Sequence, residues 1–308
     1  MKIVILGAGA VGGYYGGALQ SAGHQVGFVA RGATLEALRT RGLQLADATG
    51  TRTVAALATT SSPALVDLLG GVDVAIVATK ALPGHPPFGD VDLLPSTTPV
   101  VITHNSVETQ YAAAELLGAQ RVLAGVIRAY LTRLGPAEIR LNPGPLSFNF
   151  GPLPGTEPSP HTLAAAEQLA QALRAGGVEC DNYGSERDIM VDVWSKAMFV
   201  AVTGALGALA NQPMGYLRTQ LRFALRTMMT EVEAAAHSRG VALPANVVDA
   251  TLEFCDTQYA EATSSMHRDI AAGLPNELDA QLGAIRRMSA VGTPTLDLVH
   301  ALLRARGA

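Results

Sequence analysis

Two cysteines stand in 308 residues, Cys180 and Cys255. Two cannot make a disulfide framework, and they form no C-x-x-C pair, so a thiol redox motif and a zinc ribbon are excluded. Both are expected to be ordinary buried thiols. Basic charge is also scarce: 22 Lys and Arg face 26 Asp and Glu, a formal net charge of −4. Nucleic acid and anionic membranes call for a basic surface, so neither is an expected partner. Long apolar runs are missing too. The most apolar stretch, Met198 to Ala210, is interrupted by Thr203, Gly204 and Gly207. It falls short of the ~20 residues a membrane span needs. Met1 to Gly7 is too short for a signal peptide and reads better as a first strand, so a cytoplasmic protein is expected. The histidines show no metal-ligand spacing, and no metal site is expected.

Hydrophobic residues make up 48% of the chain, a globular composition, and its length allows two domains. In the first half, short apolar runs alternate with helical patches. Strands are expected at Lys2–Leu6, Gln25–Ala30, Val72–Thr79, Pro99–His104 and Val122–Ile127. Helices are expected between them at Val11–Ala22, Thr34–Arg41 and Glu108–Leu117. That order implies a doubly wound parallel sheet. Arg140 to Pro160 reads as extra strands or a hairpin, His161–Ala175 as a helix and Val178–Tyr183 as a last short strand. Beyond Ser185 strand signals nearly vanish. Helical patterns cover Asp188–Asn211, Thr219–Ser238, Ala245–Ala262, Leu278–Ala290 and Thr295–Ala308. The expected division is an α/β Rossmann domain over 1–186 and an all-helical domain over 187–308.

The first strand runs into Gly7-Ala8-Gly9-Ala10-Val11-Gly12 and then a helix. A G-x-G-x-x-G loop between strand and helix suits a dinucleotide. Gly7 permits the tight turn, Gly9 lets the backbone approach the pyrophosphate, and Gly12 lets helix and sheet pack closely. The amides of the helix N-terminus and its partial positive charge then face the phosphates. An acidic residue that would bind a ribose 2′-hydroxyl is absent where the second strand ends. The chain there reads Phe28-Val29-Ala30-Arg31-Gly32. An arginine in that place can pair with a 2′-phosphate, which favours NADP(H) over NAD(H).

With these residues in hand the chain resembles the ketopantoate reductases (2-dehydropantoate 2-reductases) over nearly its whole length. The resemblance rests on GAGAVG, on Arg31, on Ala78-Thr79-Lys80, on Thr103-His104-Asn105, on Trp194-Ser195-Lys196, and on Ser264-Ser265-Met266 followed by Glu277. It implies reduction of a 2-oxo acid to a 2-hydroxy acid by NADPH, with 2-dehydropantoate giving pantoate in pantothenate and coenzyme A biosynthesis. It also implies a helical second domain like the C-terminal domain of 6-phosphogluconate dehydrogenase, with the active site in the cleft between domains. Lys80 and Asn105 would lie along the cofactor, with Asn105 also near the substrate. Lys196 would be the general acid, Ser265 would bind the substrate carboxylate, and Glu277 would contact the cofactor and the reacting region. By analogy with related dehydrogenases a homodimer is an expectation.

The residues themselves agree with these roles. Ketone reduction needs a proton donor beside the developing alkoxide, where a cation also offsets the charge. Lys196 sits between Trp194 and the apolar Ala197-Met198-Phe199-Val200. Taken alone it reads equally as a lysine snorkelling to water; its spacing to Ser265 and Glu277 favours catalysis. Lys80 and Asn105 follow strand ends, where open α/β sheets bind ligands, although a surface lysine and a capping asparagine would look the same. His104 is given a structural or cofactor-flanking place. The chain departs from the family on the substrate helix. Four and eight residues after Lys196 the family's asparagines are replaced by Val200 and Gly204, and a third by Met214, with Asn211 nearby. Each lost amide weakens selection for a polar ligand by ~1–3 kcal/mol. That leaves two alternatives beside a ketopantoate reductase: a reductase of the same architecture for a more apolar carbonyl compound, or a non-catalytic NADPH-binding sensor.

Overall fold

A computed structural model describes residues 1–85, 87–184 and 188–308. The chain divides into two compact units. The first holds Met1–Lys80, Pro86–His104 and Gln110–Ile189; the second holds Ala81–His85, Asn105–Thr109 and Met190–Ala308. The expected boundary between 186 and 187 lies outside the described residues, as does Glu186, read as part of a charged helix start. The two short excursions into the second unit have no signature in the sequence.

The first unit is built on one nine-stranded sheet. In chain order its strands are β1 (Lys2–Leu6), β2 (Gln25–Val29), β3 (Leu43–Asp47), β4 (Gly50–Val54), β5 (Leu57–Thr59), β6 (Val74–Val77), β7 (Val100–Ile102), β8 (Val122–Gly135) and β9 (Glu138–Pro152). Their spatial order is β4-β3-β9-β8-β7-β6-β1-β2-β5. The six from β5 to β8 are mutually parallel. Numbered by their own succession they lie 3-2-1-4-5-6, the doubly wound order, with its topological switch between β1 and β6. Of these, β1, β6, β7 and the first half of β8 are buried on both faces, hence their apolar runs.

The β3–β4 hairpin and the length of β8 go beyond the sequence reading, whereas β9 is the hairpin strand expected within Arg140–Pro160. The hairpin β3–β4 has no counterpart among the expected strands. Its turn is an Asx turn in which Asp47 Oδ1 accepts from Thr49 N at 2.7 Å, and Gly50 takes φ 139°. The expected strand at Val122–Ile127 extends to Gly135 and turns back as β9, an antiparallel pair. The expected strand Val178–Tyr183 makes two isolated bridges, Ser147 to Glu179 and Phe150 to Asn182.

Helices of this unit are α1 (Ala10–Ser21), α2 (Gly32–Arg41), α3 (Ser62–Leu69), α4 (Thr109–Leu117, its first residue in the second unit) and α5 (Pro160–Ala175). The short α3 lacks a sequence expectation; Pro63 starts it and Gly70 in the left-handed region ends it. Helix α1 lies unusually close to the sheet. A Cβ on Gly13, Gly16 or Gly17 would come within 2.3 Å of Ile139, 2.5 Å of Phe28 and 2.5 Å of Leu45 respectively.

The second unit is helical: α6 (Ile189–Ala210, its first residue in the sheet unit), α7 (Met214–Gln220), α8 (Arg222–Ser238), α9 (Val247–Thr257), α10 (Ser265–Ala271), α11 (Ala284–Met288) and α12 (Pro294–Ala305). Helix α6, expected over Asp188–Asn211, runs unbroken through Thr203, Gly204 and Gly207. Thr203 turns its hydroxyl back onto Phe199 O at 2.7 Å. The helix is long and apolar enough to cross a membrane by length and composition, but 67% of its apolar window is buried inside the protein, as in a core helix. Leu278–Ala290, expected as one helix, is continuously helical from Leu278 to Met288, with a π-turn over Asp279–Gly283 running into α11.

Candidate functional site

The glycine loop has the geometry the motif requires. Gly7 takes φ 102°, and a Cβ there would stand 2.8 Å from Thr79 N. The chain leaving β6 therefore crowds the loop, and only glycine fits. A Cβ on Gly12 would lie 2.0 Å from Gly7 O, which makes that glycine obligatory for the turn. Gly9 differs: a Cβ there would meet no protein atom within 4 Å. Open space over Gly9, with the α1 N-terminus behind it and no side-chain cap on that helix, fits a pyrophosphate. Ala8 is buried and Ala10 and Val11 half-buried, Ala10 and Val11 being the first residues of α1. Arg31 is exposed at the start of α2, just past β2. That placement at the C-terminal edge of β2 suits an arginine meant for an adenosine 2′-phosphate.

Behind the loop sits a buried polar chain that the sequence did not reveal. Thr79 Oγ1 donates to Pro87 O at 2.7 Å. Having spent its one proton, that hydroxyl accepts from His104 Nε2, 3.3 Å away. The imidazole stacks on Phe88, is 5% exposed, and is pushed down to a pKa of about 4 by burial. It is thus a neutral Nε2–H ring, unsuited to proton transfer at neutral pH, in line with the structural place expected for it.

The other candidates fall in the helical unit, save Lys80, which is exposed just beyond the C-terminal end of β6, in the sheet unit. Asn105, Lys196, Ser265 and Glu277 come from four segments far apart in the chain and share one compact unit. Lys196 is half-buried on α6, between Trp194, 1% exposed, and fully buried Met198. Val200 and Gly204 lie on its helical face, one and two turns on. Ser264 caps α10 by accepting from His267 N at 3.0 Å, and Ser265, exposed, is the first residue of that helix. A Cβ on Gly204 would stand 2.7 Å from Met266 Cε and 3.0 Å from Ser264 Oγ. The Ser264–Met266 turn therefore rests directly on the α6 face that bears Lys196. Met214 is buried and donates its amide to Ala262 O at 2.9 Å.

Glu277 is buried, at 8% exposure. Its Oε1 accepts from Ala81 N at 3.1 Å. A carboxylate in such a position is held by a backbone amide of the residue that follows Lys80. Glu108, which sequence reasoning passed over, meets Arg287 by a forked pair with contacts of 2.6 to 3.1 Å. No local pattern foretells a pair so distant in sequence. Both thiols are buried as expected, and burial pushes each to a pKa of about 12, which leaves them unreactive.

Comparison with known proteins identifies the family and the fold. Residues 3–155 match the family described as Ketopantoate reductase PanE/ApbA, and residues 188–307 match Ketopantoate reductase PanE/ApbA C terminal. A 2-dehydropantoate 2-reductase of Mesorhizobium japonicum is 31% identical over 99% of this chain and 97% of its own. The crystal structure of 2-dehydropantoate 2-reductase from Methylococcus capsulatus superposes with a TM-score of 0.87 at 25% identity, covering 100% of this chain and 97% of that one. D-mandelate dehydrogenase, solved with NADH and anilino(oxo)acetate, shares the fold with a TM-score of 0.84 at 21% identity, covering 99% of this chain and 98% of that one.

Proposed function

The chain belongs to the ketopantoate reductase family of oxidoreductases, and from that premise we propose that it reduces a 2-oxo acid to the 2-hydroxy acid with NADPH, 2-dehydropantoate to pantoate being the first reaction to test. What carries the reading is that Asn105, Lys196, Ser265 and Glu277 share one compact unit although they come from four separate segments.

In this reading NADPH, when bound, supplies the hydride that the carbonyl carbon receives. The Gly7–Gly12 loop and the α1 amides would hold its pyrophosphate, Arg31 would pair with the 2′-phosphate, and Lys80 and Asn105 would be further residues that bind it. Lys196 gives a proton to the carbonyl oxygen, and its charge steadies the developing alkoxide. Ser265 donates its hydroxyl to the substrate carboxylate. Glu277 holds Ala81 N and so fixes the chain next to Lys80. D-mandelate dehydrogenase, of the same fold, was solved with NADH, so the preference for NADPH here rests on Arg31 and is tested there. A cytoplasmic homodimer belongs to this reading by family analogy alone.

One observation favours a second substrate. Met266 fills the space that a side chain at 204 would occupy, and with Val200 it makes the α6 face apolar beside Lys196. An apolar 2-oxo acid suits such a wall better than a hydroxylated one. The test is NADPH oxidation with 2-dehydropantoate beside straight, branched and aromatic 2-oxo acids. Turnover of 2-dehydropantoate well above the rest supports the first reading. Preference for an apolar acid keeps the chemistry and changes the substrate. Tight NADPH binding with no turnover of any acid identifies a sensor.

A further inference from the structure

The stretch from Glu277 to Arg287 grips two segments that depart from the sheet unit. At its start Glu277 holds Ala81 N at 3.1 Å. At its end Arg287 holds Glu108, in the segment Asn105–Thr109 that packs with the helical unit. Arg287 Nε lies 3.1 Å from both Glu108 oxygens, and Nη2 lies 2.6 Å from Oε2. The same guanidinium turns Nη1 to Asp279 Oδ1 at 2.9 Å and Nη2 to Asp279 O at 3.2 Å. Asp279 opens the π-turn two residues after Glu277. Gly283 closes that turn, and a Cβ there would stand 2.8 Å from Asp279 Oδ1 and 3.1 Å from Arg287 Nη1. The wide turn and its glycine leave room for the guanidinium to reach both carboxylates. Inserting an extra residue into a helical turn is uncommon, and such turns gather at functional sites.

We propose that Arg287 is a positioning residue: through Glu108 it fixes the Asn105–Thr109 segment, and with it Asn105, on the chain that carries Glu277. The inference rests on the proposed reductase reading for the role of Asn105 and Glu277, and on geometry alone for the clamp. Its partners are half-exposed, with side-chain exposures of 45% for Arg287 and 33% for Glu108. Pairs so exposed contribute little to global stability. A planar fork that meets two carboxylates still sets a geometry that lysine, a single point charge, cannot reproduce.

The experiment compares Arg287→Leu, Arg287→Lys, Glu108→Gln and the double variant Glu108→Gln/Arg287→Leu. Amide hydrogen exchange of the full chain without cofactor reads residues 105–109; NADPH affinity is read by fluorescence and turnover by NADPH oxidation. Arg287→Leu and Glu108→Gln are expected to speed exchange in that segment and lower kcat/KM tenfold or more, with Tm held within about 3 °C. The double variant should lose no more than Arg287→Leu alone, because that change already removes the link that Glu108→Gln breaks. Arg287→Lys should recover only part. Unchanged exchange, activity within twofold of the parent, or losses that multiply in the double variant would each overturn the proposal. Should the parent turn over no 2-oxo acid, the reductase reading fails by itself, and NADPH affinity decides the clamp: a loss of threefold or more in Arg287→Leu supports it, and none removes it.

Discussion

The glycine loop and the α6 face solve different problems by different means. The loop is backbone: its shape follows from Gly7 at a φ closed to other residues and Gly12 against Gly7 O, all within six residues. The α6 face is side chains: it carries Lys196, then Val200 one turn on and Gly204 two turns on, and the Ser264–Met266 turn rests against Gly204. A binding loop made of backbone resists change at nearly every position. A catalytic face made of side chains can keep its reagent while altering its wall. On the proposed reading, that contrast lets Lys196 and Glu277 keep their roles while positions 200, 204 and 214 carry Val, Gly and Met.

The largest expected effect lies on the helical side. Lys196→Ala should lower kcat by about 10²–10⁴-fold, the range for a lost proton donor, with NADPH affinity unchanged in a fluorescence titration. Weaker NADPH binding without a loss in kcat would blur the division between the two regions. Next comes the buried ring behind the loop. His104 is held neutral, its pKa lowered to about 4 by burial. An unfolded histidine takes up its proton near pH 6.5. The stability it contributes is therefore complete above about pH 6.5 and is lost as pH falls through about 4, on the order of 3 kcal/mol in all. His104→Gln should flatten that part of the stability profile in urea melts between pH 7 and 4; an unchanged slope would mean the ring stays solvated.

The loop itself offers an internal contrast. Gly12→Ala drives a Cβ into Gly7 O and should destabilise the chain by ~1–3 kcal/mol or more in a thermal melt. Gly9→Ala meets no protein atom, so its cost to folding should stay under about 1 kcal/mol while dinucleotide binding weakens. Equal loss of stability in both would show that Gly9 serves the fold and not the ligand. The smallest effect is at Arg31. Arg31→Ala should raise the KM for NADPH by roughly tenfold, one charge-assisted contact, and leave NADH unaffected. A parallel rise for NADH would place the guanidinium on something common to both.

The sheet was largely legible because its signals are local. Runs buried on both faces spell strands, and a glycine cluster between strand and helix spells the loop. Leu43–Val54 escaped because a short polar hairpin at a sheet edge carries no such run, and Ser62–Leu69 because eight residues barely establish a period. In the helical half, Leu278–Ala290 has the pattern of one helix. The π-turn at Asp279–Gly283 accompanies the reach of Arg287 to Asp279 and Glu108, and no periodicity foretells contacts to a residue as distant as Glu108. The positions of Lys196, Ser265, Glu277 and Asn105 were read by their likeness to a family; their own patterns allowed a snorkelling lysine or a capping asparagine equally.

The sequence by itself determined the doubly wound sheet, the loop that suits a pyrophosphate, the missing acid after the second strand and the arginine in its place, because each depends on neighbours in the chain. Only the tertiary structure decided that Met266 covers Gly204, that His104 is a neutral donor to Thr79, and that Glu277 and Arg287 seize Ala81 and Glu108. Those contacts join residues distant along the chain, and their strength depends on burial and angle, which exist only once the chain has packed.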